Sequence, residues 1–324
     1  MAPTTKENIL IFGATGYIGW YITDQIVKAK TSFGRIAIFT SPSTVEKKPD
    51  LIRQLKKNGV EVFVGNAGEE ADVVKALDGI TTIVSAVGRA VIADQLKLIK
   101  LAEKVPSVKR FFPSEYGTDI EYNETSAKEP PHQQKLKVRA ALKEVSYLDH
   151  TYVVTGPYAD GASNGTFFGI VPFAPEIGGF NVKEKKAVLT GDGTGKISLT
   201  TLADFGGLVV KALLHPEAAK NRALRVNSFT ASGHEIVAEF EKQTGGEKWS
   251  VTYTSFERLR ELEKEAYSNN HPAATLFTLR RIWAEGGTLY EKRDNGLIDG
   301  EDTETLSDAV RDAVAAQLYR LGEL

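Results

Sequence analysis

The stretch NILIFGATGYIG, residues 8–19, decides the fold of this chain. Its apolar first half predicts a short buried strand, and glycines then follow at positions 13, 16 and 19. These glycines permit a tight turn, a close approach of a phosphate to the backbone, and close packing of the next helix. The start of that helix offers N–H groups and a positive dipole end to an anion. The stretch predicts a dinucleotide-binding loop rather than a plain strand–helix turn, with these cofactor-binding residues: Gly13, Thr15, Gly16, Tyr17, Ile18 and Gly19.

Outward from this loop, strand-like and helix-like segments alternate over the first 155 residues. The strand candidates are short and nearly continuous in apolar residues, which is typical of parallel strands buried on both faces. They are Asn8–Phe12, Arg35–Phe39, Val60–Val64, Thr81–Ser85, Val108–Phe112 and Thr151–Val154. The helix candidates are Tyr17–Lys28, Asp50–Asn58, Glu69–Leu77, Ile92–Lys104 and His132–Val145. Five successive alternations predict an α/β fold of the Rossmann type, with a doubly wound parallel sheet.

The alternation stops near residue 156, where glycines and prolines become frequent. Helical patterns return at Leu202–Leu214, Gly233–Thr244 and Phe256–Tyr267, and again from Thr303 to the C-terminus. We therefore expect a dinucleotide-binding domain over residues 1–155 and a smaller α/β substrate-binding part over residues 156–324. Segments of the second part can return to complete the first sheet.

Composition excludes several classes of function. The 324 residues carry a formal net charge of −2, without the basic field that nucleic-acid binders usually show. No cysteine is present, which excludes disulfides and thiolate chemistry, and the five histidines form no metal-binding pattern. No signal-peptide core or membrane-spanning run is present, so we expect a cytoplasmic protein with a small-molecule substrate. A monomer and a homodimer are both compatible with the sequence.

The end of the second strand indicates which dinucleotide is bound. NAD-binding proteins place a carboxylate there to hold the ribose hydroxyl. Here the strand is followed by hydroxyls at Thr40, Ser41 and Ser43 and by the cations Lys47 and Lys48. Hydroxyls and cations suit a 2′-phosphate, so the sequence favours NADP(H). The alternative is a Ser/Thr/Pro surface loop without a binding role.

The helix after Pro130-Pro131 carries the catalytic candidate. None of the eleven tyrosines has a lysine four residues later, so the usual Tyr-x-x-x-Lys pair of short-chain dehydrogenases is absent. Lys135 lies three residues before Val138 and shares the apolar face of its helix. Burial would lower the pKa of such a lysine and suit it to donate a proton or polarise a carbonyl. The alternative is a surface lysine whose methylenes pack on the helix face.

Three stretches besides the glycine loop are similar to a known family: IADQLKLI at 92–99, VKRFFPSEYG at 108–117, and the pattern Lys135-x-x-Val138-Arg139. They resemble the NmrA-like, atypical short-chain dehydrogenases, and within them the isoflavone reductase and phenylcoumaran benzylic ether reductase group. The resemblance implies that Lys135 is catalytic and that Gln95 and His132 bind substrate. It also implies that the cofactor contacts Ala86, Val87, Gly88, Pro113, Ser114, Glu115 and Tyr116.

The chain also departs from the plant members of this group. Thr40 stands where they usually carry an arginine for the 2′-phosphate, and His132 where an aromatic residue is common. After the sixth strand they have Ser-Ser-Asn, whereas this chain has Gly156, Pro157 and Tyr158, which we expect beside the cofactor. These departures suggest a fungal or bacterial branch, and the plant substrates cannot be carried over.

Together these features predict an NADPH-dependent reductase of a conjugated or aromatic small molecule, with Lys135 as proton donor or polarising group. We expect an aromatic substrate cleft lined by Tyr158, Phe167, Phe168 and Phe173, with ordinary core packing as the alternative for each phenylalanine. The rival function is that of an NADP-binding redox sensor or regulator without turnover. The K-x-x-[IV]-R pattern favours the enzyme, since such regulators tend to lack it.

Overall fold

A seven-stranded parallel sheet forms the centre of the computed structural model, which describes residues 6–160, 166–290 and 292–320. The strands, in chain order, are β1 (Ile9–Phe12), β2 (Ile36–Thr40), β3 (Glu61–Val64), β4 (Thr82–Ser85), β5 (Arg110–Phe112), β6 (Asp149–Val154), β7 (Gly179–Asn181), β8 (Lys186–Thr190), β9 (Lys196–Leu199), β10 (Arg222–Arg225), β11 (Phe229–Ser232) and β12 (Ser250–Thr254). The central sheet has the order β10-β6-β5-β4-β1-β2-β3. The predicted Rossmann-type fold is therefore confirmed.

The helices cover both faces of this sheet and build the C-terminal part. They are α1 (Tyr17–Lys28), α2 (Pro42–Lys47), α3 (Pro49–Lys57), α4 (Glu70–Leu77), α5 (Gln95–Glu103), α6 (Gln133–Glu144), α7 (Leu202–Leu214), α8 (Pro216–Ala219), α9 (Gly233–Gln243), α10 (Phe256–Ser268), α11 (Ala274–Ala284) and α12 (Leu306–Arg320). Within the described residues, none of these helices has the length and apolarity needed to cross a membrane.

Alternation along β1 divides the apolar core into two layers. Ile9 and Ile11 pack with residues of α1, α3 and α7 on one face, whereas Leu10 and Phe12 pack with α4, α5 and α6 on the other. This arrangement explains why the strand is apolar at every position rather than at alternate positions.

The seventh strand comes from the C-terminal half of the chain. β10 pairs in parallel with β6, and α7 packs against α1 so closely that a Cβ on Gly206 would lie 2.3 Å from the carbonyl oxygen of Tyr21. β10 was not among the predicted strands because its sequence, RALR, is charged at both ends. An edge strand tolerates such charges, since one of its sides is not paired.

The remaining strands form two small sheets around a separate apolar cluster. β7, β8 and β12 form one sheet, and β9 pairs with β11. Phe167 and Phe168 belong to the cluster between them, and Phe168 is 0% exposed. Their predicted role in the substrate cleft is therefore wrong: both rings pack in the core, where they avoid water.

Candidate functional site

The glycine loop is closed by backbone packing. A Cβ on Gly13 would lie 2.4 Å from the carbonyl oxygen of Ala86, and a Cβ on Gly19 would lie 2.0 Å from that of Gly13. Gly13 also has φ +76°, a conformation that favours glycine. Gly16 is the N-cap of α1 and supplies no side-chain cap to its first turn. No N-cap side chain therefore accepts from the N–H groups of this first turn.

A cleft of about 440 Å³, here called the outer cleft, begins at this turn and follows the carboxyl ends of β4 and β5. Ligands of open α/β sheets bind at this edge. Its walls include many of the predicted site residues: Gly16, Tyr17, Ile18, Ala86, Val87, Gly88, Ser114, Glu115, Tyr116, Lys135 and Tyr158. Pro113 immediately precedes this wall, Gly13 and Gly19 pack closely within the loop, and the carbonyl of Thr15 accepts from Lys48.

Gln95 does not line the outer cleft, although we predicted that it binds substrate. Its side chain is 2% exposed, donates to the carbonyl of Ile92 at 3.0 Å and accepts from the Ser114 amide at 2.9 Å. Ser114 in turn donates from Oγ to the carbonyl of Val87 at 2.9 Å. Both ends of the Gln95 amide are thus used to join the ends of β4 and β5, which corrects the prediction.

Glu115 contributes its backbone rather than its carboxylate. The carboxylate is 1% exposed and accepts from Nε and Nη2 of Arg139 at 2.9 and 3.1 Å. Arg139, itself 2% exposed, also donates to Asp119 at 3.2 Å and to Glu121 at 2.9 Å. Its guanidinium lies 4.3 Å from the ring centroid of Tyr152. The predicted cofactor contact of Glu115 stays a prediction, and it would involve the backbone, because a buried ion pair occupies the carboxylate.

Lys135 projects from α6 and donates from Nζ to the backbone carbonyl of Glu115. The side chain is half-buried, and burial lowers the pKa of Lys135 to about 8. The nearby Glu115 carboxylate opposes this decrease in pKa, whereas the cations Arg89 and Arg139 add to it. The buried ion pair thus fixes the carbonyl that holds the lysine.

A second space of about 140 Å³, here called the inner cavity, opens beside Lys135. It shares Arg89, Tyr116, Pro131, Lys135 and Tyr158 with the outer cleft. Its other lining residues are Gly117, Thr118, His132, Gly156, Pro157, Leu279 and Trp283. The predicted residues Gly156 and Pro157 therefore lie at the inner cavity and not at the outer cleft.

Two tyrosines lie on the wall shared by these spaces, and a histidine lines the inner cavity. Tyr158 donates to the carbonyl of Tyr116 at 2.9 Å, while the buried Tyr116 hydroxyl has no partner among the described residues. Burial raises the pKa of both tyrosines, so each stays protonated at neutral pH. His132 donates from Nδ1 to the carbonyl of Ser126 at 2.6 Å, and burial lowers the pKa of His132 to about 4. The histidine is therefore neutral there.

The residues after β2 begin a short helix rather than the surface loop that was the alternative. Ser41 caps α2 by accepting from the Thr44 amide at 3.2 Å. Thr40 is buried at the end of its strand, while Ser43 remains exposed. Lys48 is exposed and donates to the carbonyl of Thr15 at 2.6 Å. Lys48 thus brings a cation to the glycine loop.

Comparison with known sequences shows the family of the chain. The sequence profile of the NmrA-like family matches residues 5–306. A phenylcoumaran benzylic ether reductase from Ginkgo biloba is 31% identical over 307 residues, covering 91% of this chain and 94% of the relative. An isoflavone reductase from Pisum sativum is 30% identical over 305 residues, covering 89% of this chain and 90% of the relative.

Comparison with solved structures gives the same fold. The binary complex of leucoanthocyanidin reductase with NADPH from Vitis vinifera has a TM-score of 0.78 at 20% identity, covering 95% of this chain and 99% of the other. A crystal structure of isoflavone reductase has a TM-score of 0.76 at 24% identity, covering 94% and 99%. At these identities the similarity concerns the fold alone.

Proposed function

The chain belongs to the NmrA-like family, and we propose that it is an enzyme that uses NADPH to reduce a conjugated or aromatic small molecule. The relatives named as reductases, and the NADPH held by the Vitis vinifera structure, support this proposal. The observation that carries it is the position of Lys135, whose ammonium lies on the wall common to the outer cleft and the inner cavity.

The outer cleft suits a bound NADPH molecule. Among its described lining residues Glu115 is the one acid, and its carboxylate is paired with Arg139, so no free negative charge faces the phosphates. Gly16, Tyr17 and Ile18 would hold the pyrophosphate, and Lys48 with Ser43 would hold the 2′-phosphate. When bound, NADPH supplies a hydride.

Lys135 supplies the proton in the proposed reaction. Because its pKa is about 8, the amine is mostly protonated at neutral pH and still gives up its proton readily. Nζ would donate a hydrogen bond or its proton, directly or through water, to the substrate atom on which negative charge develops during the reduction. Solvent then returns the proton to the amine. The carbonyl of Glu115 orients Nζ for this step.

Consumption of NADPH tests the proposed function. Purified protein is incubated with NADPH and a panel of aromatic enones and benzylic ethers, and the loss of NADPH absorbance is followed. Turnover of at least one compound, with the reduced product identified by mass spectrometry, is expected. Tight binding of NADPH without consumption across the whole panel would contradict the proposal and favour the NADP-binding regulator.

The pH dependence of the reaction follows from the lowered pKa of Lys135. The protonated amine predominates below about pH 8 and is lost as the pH rises through that value. We therefore expect kcat/KM to be level below this pH and to fall roughly tenfold per unit above it. Lys135→Arg should shift the decrease to higher pH in any activity that remains, because arginine stays protonated. A wild-type profile that is flat through this range would contradict the assignment of the proton to Lys135.

Lys48 is expected to distinguish NADPH from NADH. Lys48→Ala should weaken NADPH binding by about 10- to 150-fold, since a charged hydrogen bond contributes about 1.5 to 3 kcal/mol, and leave NADH binding unchanged. Fluorescence titration of both cofactors measures the effect. Lys47→Ala is the matched control, because Lys47 is the exposed neighbouring cation at the end of α2. An equal loss of affinity for NADPH and NADH in Lys48→Ala would contradict a contact between Lys48 and the 2′-phosphate.

A further inference from the structure

Arg89 has an unusual position among the described arginines. It begins the 3-10 helix Arg89–Asp94 directly after Gly88, is exposed, and lines both the outer cleft and the inner cavity. The other arginines whose side chains the structure describes, a set that excludes Arg320, pair with carboxylates or, in the case of Arg280, with backbone carbonyls. Arg89 has neither kind of partner within the described residues, so its guanidinium donors are available to a ligand.

The inner cavity concentrates positive charge. Its described lining contains Arg89, His132 and Lys135 but no Asp or Glu. His132 is neutral at pH 7 because its pKa is about 4, so the charge comes from the other two residues. Arg89 is close enough to lower the pKa of Lys135, which means that the two cations repel each other across the wall. An anionic group on the substrate would offset this repulsion.

The size and walls of the inner cavity limit the rest of the ligand. Its volume of about 140 Å³ is close to the roughly 150 Å³ of an engineered apolar cavity that holds benzene. Tyr158, Leu279 and Trp283 provide flat or apolar wall on which a ring can pack. The space therefore suits one aromatic ring with a short side chain.

We propose that Arg89 binds the carboxylate of the substrate and that this substrate is a single-ring aromatic acid. The inference rests on the proposed function, because it assigns the inner cavity to the substrate and the outer cleft to NADPH. It is supported by the lining of the inner cavity, which includes Arg89 but no residue of the glycine loop. Arg89 thus selects the substrate, whereas Lys135 acts on the reacting atoms.

Cinnamate and methyl cinnamate test the proposal as a matched acid and neutral ester. Their binding to the protein saturated with NADP⁺ is measured by isothermal titration calorimetry. Cinnamate is expected to bind about tenfold more tightly than the ester. Arg89→Leu should abolish this preference, because it should weaken the binding of cinnamate about tenfold and leave the binding of the ester and of NADPH unchanged. Because Arg89 is exposed and unpartnered, we expect the variant to fold, and Arg53→Leu, at an exposed arginine of α3, is the control.

Three results would overturn the proposal. The first is equal affinity for the acid and the ester, and the second is no binding of either compound. The third is that Arg89→Leu loses more affinity for NADPH than for cinnamate, which would make Arg89 a ligand of a cofactor phosphate. A different result would refute the proposed function. If cinnamate binding depended on Arg89 but no compound caused NADPH to be consumed, the reductase proposal would be refuted and the carboxylate site would stand. Turnover of neutral enones without any preference for acids would refute the carboxylate site alone.

Discussion

Lys135→Ala is expected to lower kcat for NADPH-dependent reduction by about 10²- to 10⁴-fold, the range typical of losing a general acid. The variant keeps the glycine loop and the ends of β4 and β5, so NADPH binding should change little. Steady-state kinetics together with fluorescence titration of NADPH separates the two effects. The reason for the large loss is that no other titratable residue described on the shared wall or in the inner cavity can supply the proton. The guanidinium of Arg89 stays protonated, His132 is neutral, and burial raises the pKa of both tyrosines.

The control for this experiment lies two residues away on the same helix. Lys137 is exposed on α6, so Lys137→Ala removes an equal charge without touching either space. The kcat of Lys137→Ala should equal that of the wild type. If Lys135→Ala and Lys137→Ala retained the same turnover, Lys135 would have no part in the reaction.

Arg139→Met should lower the free energy of unfolding by about 3 to 5 kcal/mol, the usual cost of removing one partner from a buried ion pair. The substitution provides a long apolar side chain but leaves the Glu115 carboxylate, 1% exposed, without a cation, while the equally buried Asp119 keeps only its pair with Arg225 at 2.9 Å. Urea denaturation of the two proteins measures the difference. The loss is large because neither carboxylate can reach water without moving the chain.

Lys143→Met is the matched control for Arg139→Met. It removes a cation from the same helix, and that cation also pairs with Glu121, at 3.0 Å, but its side chain is 54% exposed. An exposed pair contributes about 0 to 1 kcal/mol, so stability should hardly change. Equal effects of the two substitutions would show that the charge of α6, rather than the burial of Arg139, matters.

Local sequence patterns were sufficient for much of the fold. The bounds of α1 and α7 were predicted to the residue, because their apolar faces and capping positions lie within the helices themselves. α11 was missed, since the buried Arg280 and its neighbour Arg281 interrupt the apolar face of the segment. Arg280 is accommodated by carbonyls of residues 166 and 167, more than a hundred positions earlier. No local pattern can reveal such partners.

The site shows the same difference between features set by local sequence and features set by distant partners. Lys135 could be proposed from its helix and family motif, and the structure brings it to the wall between the two spaces. The buried position of the Gln95 side chain and the ion pair of the Glu115 carboxylate could not be predicted, because each depends on a partner 19 or 24 residues along the chain. Arg89 was overlooked entirely. Its significance comes from the lack of a carboxylate nearby, which only the packed structure can show.

The return of β10 to the central sheet has a consequence for biosynthesis. When residue 155 leaves the ribosome, β6 still has an unpaired edge and α1 an uncovered apolar face, because their partners β10 and α7 lie 47 to 70 residues further along the chain. An open edge of this kind can pair with strands of other chains. The nascent protein therefore passes through an interval in which its nucleotide-binding half is synthesised but cannot close, and that interval is the stage at which chaperones would matter most.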